Sequence, residues 1–386
     1  MRLLIMLILF ILSANGVQAE VLEKISGVWV GDKQKLLHNG VCDDVYPVWS
    51  LDGKMIAFER IGKGMGAFQG IYYFERGDYI ISPISEAKKK KEGGFDPKKK
   101  DYYSLENKLD QDDFYAGYFS WAPDNSYRFV FTQSLDLYAG MIDVNSKVVQ
   151  KRHFLSMKKE NGEIAANMYA CWGKNNDIVF LSGCTGKGDL YSLDADGKGK
   201  PKRLTDAEGL DTTPEYSPDG TKIVCSSVRG GNTDIYLLVG QKSASLTDWQ
   251  TEEVNPTWSF DGKMIAFYVL EKDRCCLWVM NADGSGKKKV VDRVFRQEKG
   301  GPAWLPDVFG NKIIYISEYG NNMYIVDVST LKRWDVTINE QVMSDVSCNL
   351  CPMKYVGKKE LYLMIAFSAQ HTNGRKRIFI KMLSME

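Results

Sequence analysis

Histidine is nearly absent: His38, His153 and His371 are the only three in 386 residues, and none is repeated or clustered. A histidine-built metal centre has no support from such a set, and neither metal nor cofactor is expected. No Gly-x-Ser-x-Gly elbow occurs, which removes the usual signature of an α/β-hydrolase nucleophile. Helical periodicity is missing too, because no long stretch carries apolar residues at three-and-four spacing. Aromatic residues at 12% and 35 glycines favour short strands separated by turns. Charge of one sign is also lacking, with 50 Lys and Arg against 49 Asp and Glu. That balance gives no global case for binding nucleic acid.

Long apolar runs are confined to the N-terminus. Met1-Arg2 is followed by an apolar run from Leu3 to Leu12, then Ser13-Ala14-Asn15-Gly16 and the small-residue pattern Val17-Gln18-Ala19. This is the pattern of a cleavable secretory signal at 1–19, and the run is too short to span a bilayer. No cysteine near the cleavage site indicates a lipid anchor. The mature chain, 20–386, is expected to be soluble and either periplasmic or secreted. Loss of Arg2 leaves 49 bases against 49 acids, a formal charge of zero.

Repetition is what the chain has in abundance. Asn255-Pro256-Thr257-Trp258-Ser259-Phe260-Asp261-Gly262-Lys263-Met264-Ile265-Ala266-Phe267 nearly copies the stretch from Tyr46 to Phe58. Looser copies surround Trp121, Trp172, Tyr216 and Trp304, and a worn one carries Lys354 in the same register ahead of Leu361 to Phe367. The anchors at 49, 121, 172, 216, 258, 304 and 354 are separated by 72, 51, 44, 42, 46 and 50 residues. A period in the forties marks propeller blades rather than helical solenoids.

Each unit reads as four antiparallel strands. Asp52-Gly53, Asp219-Gly220 and Asp261-Gly262 sit between two apolar runs, where glycine supplies the positive φ that a tight turn needs. Third strands follow at Ile71–Phe74, Leu135–Tyr138, Asp189–Leu193, Asp234–Leu238, Cys276–Met280, Asn322–Val326 and Arg377–Ile380. Turns such as Asp196-Gly197 lead to a fourth, for example Arg203 to Asp206. The expected fold is therefore all-β, a single propeller over 20–386, with seven blades and six as the alternative count. Gly27 to Asp32, continuing to Leu37, reads as an outer hairpin that would pair with the C-terminal strands and close the ring.

These units resemble the TolB-like propeller family with its PD40 repeats, whose unit centres on Pro-x-Trp-Ser-Pro-Asp-Gly-x-x-Ile-Ala-Phe. Thr213 to Val224 and Leu277 to Gly284 carry the resemblance most closely. It implies a propeller over about 27–384. It speaks less clearly to function, since blades of this type also occur in receptors, in peptidase accessory domains and in carbohydrate-active enzymes.

An acid recurs ahead of the anchors, at Asp44, Asp113, Asp211, Glu253 and Glu298 among others. Loops entering innermost strands crowd one mouth of a propeller, so these carboxylates would ring a negative opening suited to a basic peptide, a partner loop or a cation. Alternatively they accept hydrogen bonds from loop backbone and hold turns. The anchor aromatics are read as packing between blades rather than as a sugar-stacking platform. An insertion at about 84–101 carries Lys88–Lys91 and Lys98–Lys100, a mobile solvated loop or a peripheral contact for anionic lipid or polysaccharide.

Eight cysteines in an exported chain suggest disulfides. Cys225 stands where Phe58 and Phe267 stand and reads as a small buried apolar residue. Cys42 with Cys348 and Cys351 is the set expected to staple the closure. The function expected is binding or scaffolding through protein contacts at the acidic mouth. The alternative is a glycoside hydrolase or lyase using carboxylates in the same place.

Overall fold

A computed structural model describes residues 7–11, 20–24, 42–62, 66–73, 78–81, 116–133, 135–144, 148–297, 300–319, 322–336, 343–350, 362–370 and 376–384. Among them the only regular structure besides strand is one turn of 3-10 helix, at Asp307–Phe309.

The strands form seven antiparallel sheets. Two strands open the chain, β1 (Leu7–Ile11) and β2 (Glu20–Lys24). Six four-stranded sheets then follow in chain order, over residues 42–81, 116–155, 167–203, 211–245, 252–291 and 303–335. Their first strands are β3 (Cys42–Trp49), β7 (Ala116–Trp121), β11 (Asn167–Trp172), β15 (Asp211–Tyr216), β19 (Glu252–Trp258) and β23 (Ala303–Trp304). The seventh sheet joins β27 (Met343–Leu350), β28 (Tyr362–Gln370) and β29 (Lys376–Ser384) to β2 and β1. First strands of successive sheets touch from β7 to β27; β27 then meets β3, and the second strand of the first sheet, β4 (Met55–Gly62), meets β7. The circuit is closed.

Four of the seven expected third strands fall within observed strands, and those at Ile71–Phe74, Leu135–Tyr138 and Asn322–Val326 overlap one, each with a single end residue outside it. β2 pairs with β29 through Val21 with Leu383 and Leu22 with Met382, a closing contact that the sequence reading did not name; the hairpin expected at 27–37 lies outside the described residues. The seventh anchor differs as well. Cys348 lies opposite Ile365 as Trp49 lies opposite Ile56 and Trp258 opposite Ile265, so Cys348 rather than Lys354 holds the anchor register. The repeated Ile-Ala-Phe of the second strand misled the reading, because 17 positions separate Cys348 from Ile365, against 7 from Trp49 to Ile56 and from Trp258 to Ile265.

Core side chains sit between neighbouring sheets. One cluster combines Met55, Ala57 and Ile71 with Trp121, Phe129 and Phe131; another combines Val224 and Ile235 with Trp258, Ile265 and Phe267. The anchors are the pegs of these layers. Trp121 Nε1 donates to Val48 O at 3.1 Å, Trp258 Nε1 to Glu215 O at 3.2 Å and Trp304 Nε1 to Thr257 O at 3.2 Å, each reaching back one sheet. Tyr216 is accommodated by the absence of a side chain at Gly173, where an added Cβ would lie 2.7 Å from the tyrosine ring. The packing role expected of the aromatics is thus what the geometry displays.

The turn after Trp49, Tyr216 and Trp258 is held by its own residues. Ser50, Ser217 and Ser259 donate Oγ–H to Asp52, Asp219 and Asp261 at 2.7, 2.5 and 2.7 Å. The same carboxylates accept the backbone N–H of Lys54, Thr221 and Lys263. Gly53, Gly220 and Gly262 then take φ of 67°, 75° and 68°, as the sequence pattern requires.

Five free cysteines are described, and Cys225 is fully buried, as expected of its place in the repeat. Cys42 begins β3, whereas Cys348 stands at the level of Trp49 near its other end. About 20 Å of strand separates those levels, which argues against a direct Cys42 to Cys348 bond. Cys351 and the lysine-rich insertion lie outside the described residues.

Trp258→Ala should lower unfolding free energy by about 3–5 kcal/mol through the cavity left between two sheets. Trp258→Phe, which keeps most of the packing and loses the bond to Glu215 O, should cost less than half as much. Urea denaturation compares them, and equal losses would contradict the peg role.

Candidate functional site

Two of the five expected site acids have described side chains, and both are buried. Asp211, the first residue of β15, accepts from Ser227 Oγ at 2.5 Å and Arg229 Nη2 at 3.4 Å. Glu253 on β19 accepts from Thr251 Oγ1 at 2.6 Å. Burial pushes the Glu253 carboxyl up to about 7, with Asp234 beside it adding to the rise. Asp211 Oδ2 and Glu253 Oε2 are enclosed without a protein partner. Of the remaining three, Asp44 lies on β3 with its side chain outside the description, and Asp113 and Glu298 are outside the described residues. Nearby acids do hold loops: Asp43 accepts Lys376 N–H at 2.9 Å and Glu252 accepts Thr233 N–H at 3.0 Å.

The structure brings a different set of residues together on the ring axis. In each of five first strands the ladder skips, so that two residues oppose one buried residue of the second strand: Phe58, Phe131, Phe180, Cys225 or Phe267. Such bulges re-aim a side chain. The bulged positions are Tyr46, Tyr118, Tyr169, Thr213 and Asn255, with φ of 54°, 55°, 57°, 48° and 54°. Positive φ is costly for residues other than glycine, and Tyr46, Thr213 and Asn255 also precede proline. Five repetitions of one strained conformation show that the innermost strand bends at a fixed level.

In the sixth sheet the bulge is replaced by an excursion. Phe295 N donates to Ile316 O and Val294 bridges Ser317, which continues the ladder interrupted after Ala303 opposite Ile314. Arg296 therefore enters the ring where other sheets place their bulged residue. It is exposed, and its Nη2 donates to Asn255 Oδ1 at 3.1 Å. Asn255 is itself buried, and its Nδ2 donates to Gly300 O at 2.6 Å, which fixes the orientation of the amide. Gly301 makes the excursion fit, since a Cβ there would lie 2.2 Å from Asn255 O.

Across the ring, Tyr118 and Tyr169 lie with ring centroids 4.0 Å apart. Burial raises the Tyr118 hydroxyl well above its ordinary value; Tyr169 and Glu59 add to the rise, and Arg296 opposes it. Residues from four sheets feel one another only because their strands converge on the axis. The spacing of acids drew attention to the loops. Arg296 was hidden from it because the excursion moves it eight positions ahead of Trp304.

A ring of four-stranded sheets joined through first-strand aromatics defines a β-propeller. The sequence model for the TolB beta propeller domain, PD40, matches residues 150–347, about half the chain, and the chain belongs to that family. Over 158 residues it is 30% identical to Protein TolB homolog of Chlorobium luteolum, a match covering 40% of this chain and 35% of that protein. Over 107 residues it is 32% identical to Tol-Pal system protein TolB of Anaeromyxobacter dehalogenans, covering 28% and 24% respectively. The matches thus span about a third or less of those relatives. Oligogalacturonate lyase from Vibrio parahaemolyticus has a similar structure, with TM-score 0.58, 11% identity and coverage of 97% of this chain and 96% of that one. Puromycin hydrolase gives TM-score 0.59 at 14% identity over 87% and 53%. At such identities the likeness is one of fold alone.

The buried acids set a pH dependence. Glu215, enclosed beneath Trp258 and accepting its backbone N–H at 3.0 Å, is pushed up by burial to about 7, as Glu253 is. Both carboxyls ordinarily titrate near 4.5, so the folded state holds protons that the unfolded state has released between about 4.5 and 7. Stability contributed by the protonated forms is complete below 4.5 and declines as pH rises to about 7. Urea midpoints should fall across that window, and Glu253→Gln should flatten the fall. An unchanged slope in the variant would remove Glu253 from the account.

Proposed function

We propose that this is an exported propeller that works in the periplasm by binding another protein at the mouth of its central channel. The observation that carries this reading is the ring itself: an exposed Arg296 and partly exposed Tyr118, Tyr169 and Thr213, presented on a closed, rigid frame. Preformed sites on rigid elements lose little freedom on binding. The relatives named TolB, one of them named as a Tol-Pal system protein, support a role inside a multiprotein envelope system. Likeness to oligogalacturonate lyase concerns the fold, so the carbohydrate reading gains no observation of its own from it.

Seven blades and a single domain over 20–386 belong to the same proposal. Cleavage after Ala19 would release β1 and leave β2, which starts at Glu20, whole for closing the ring. Asp44, Asp113 and Glu298 stand as candidates for the rim, whereas Asp211 and Glu253 would contribute by bracing the loops that shape it.

Immobilised mature protein should retain one defined protein from envelope extract, and Thr213→Trp, which fills the channel, should lose it while keeping the native circular dichroism. Retention of nothing by the native chain, or equal retention by the plugged variant, would sink the reading. The exported chain should begin at Glu20 on N-terminal sequencing.

A further inference from the structure

The ring is chemically two-sided. Three sheets contribute Tyr46, Tyr118 and Tyr169, and the next three contribute Thr213, Asn255 and Arg296. Three acids near this level are withdrawn from solvent: Glu59 is 2% exposed, and Asp211 and Glu253 are 0% exposed. Arg296 is exposed, and among the described residues no carboxylate forms an ion pair with it. Its bond to Asn255 Oδ1 orients the guanidinium through a buried amide that is itself tied to Gly300 O. The remaining N–H groups of such a fork match the two oxygens of a carboxylate.

From this placement we infer that the channel receives an acidic segment of the partner, an Asp or Glu side chain seated on Arg296 with its apolar surroundings against Tyr118 and Tyr169. The inference rests on the protein-binding reading above and fixes the sign of charge that the partner must carry. It departs from the expectation of a basic ligand, because Asp211 and Glu253, the two of the five expected acids with described side chains, are enclosed within their sheets, whereas Arg296 is exposed at ring level. Asn255 acts as a positioning residue: its Oδ1 holds the guanidinium before the ligand arrives. The tyrosine pair, 4.0 Å between centroids, offers the aromatic surface on which CH groups next to a carboxylate pack.

The test uses mature protein and the capped peptide acetyl-Gly-Glu-Phe-Glu-Gly-amide, titrated by calorimetry beside its Gln and Lys counterparts and free glucuronate. The acidic peptide should bind about tenfold or more tightly than the Gln form, the size expected of a charge-assisted hydrogen bond. Arg296→Gln should erase that preference, and Arg296→Lys should restore part of it. Preference for the Lys peptide, no binding of any peptide, or an acid preference surviving Arg296→Gln would each overturn the inference. Glucuronate binding as tightly as the acidic peptide would overturn it in favour of a sugar-acid site. Undiminished capture of the envelope protein by Arg296→Gln overturns the inference alone, whereas absence of capture by the native chain removes the protein-binding reading beneath it.

Discussion

The bond from an anchor tryptophan to the carbonyl of the preceding sheet is the constraint on which the rest of the structure depends. A four-stranded sheet with two apolar faces is not stable alone, and at three of the sheet-to-sheet contacts the neighbour's indole, Trp121, Trp258 or Trp304, both fills the gap and bonds across it. Burial of a tryptophan removes about 150–250 Å² from water, and its N–H usually finds a partner when enclosed. A main-chain carbonyl one sheet back is the acceptor that every unit can supply. The link therefore repeats without needing a particular side chain on the accepting side, where Val48, Glu215 and Thr257 serve equally.

That independence explains how much of the fold was legible. The Ser-x-Asp-Gly turn and the aromatic anchor make local demands on residue type, so Trp49, Tyr216 and Trp258 announced their sheets in the sequence. The seventh unit carries Cys348 at the anchor and lacks the turn, and the reading drifted six residues to Lys354. The closing strand was missed for a related reason. Glu20–Lys24 has only a few residues and no turn signature, and what defines it is a partner at the opposite end of the chain.

The candidate site was less legible because it depends on backbone geometry more than on residue type. Tyrosine, threonine, asparagine and arginine occupy one structural position, and nothing in their chemistry reveals that they share it. Acids, by contrast, were easily seen to repeat, yet Asp211 and Glu253 face their own sheets and bond Ser227 and Thr251. A recurring charge ahead of an innermost strand is as compatible with holding a loop as with meeting a ligand, and only burial separates the two.

The pairing of β2 with β29 has a consequence for how the molecule comes into being. The strand that seals the ring is made well before its partner, since Val21 and Leu383 pair across 362 positions of sequence. Until β29 has been made, β2 has nothing to pair with and the growing array keeps an open edge, the kind of surface that invites aggregation. Local hairpins can form as they emerge, but closure must await a contact of nearly maximal sequence separation, which is intrinsically slow. Closure of this propeller is thus gated by β29, and a chain cut short before that strand would keep two exposed sheet edges.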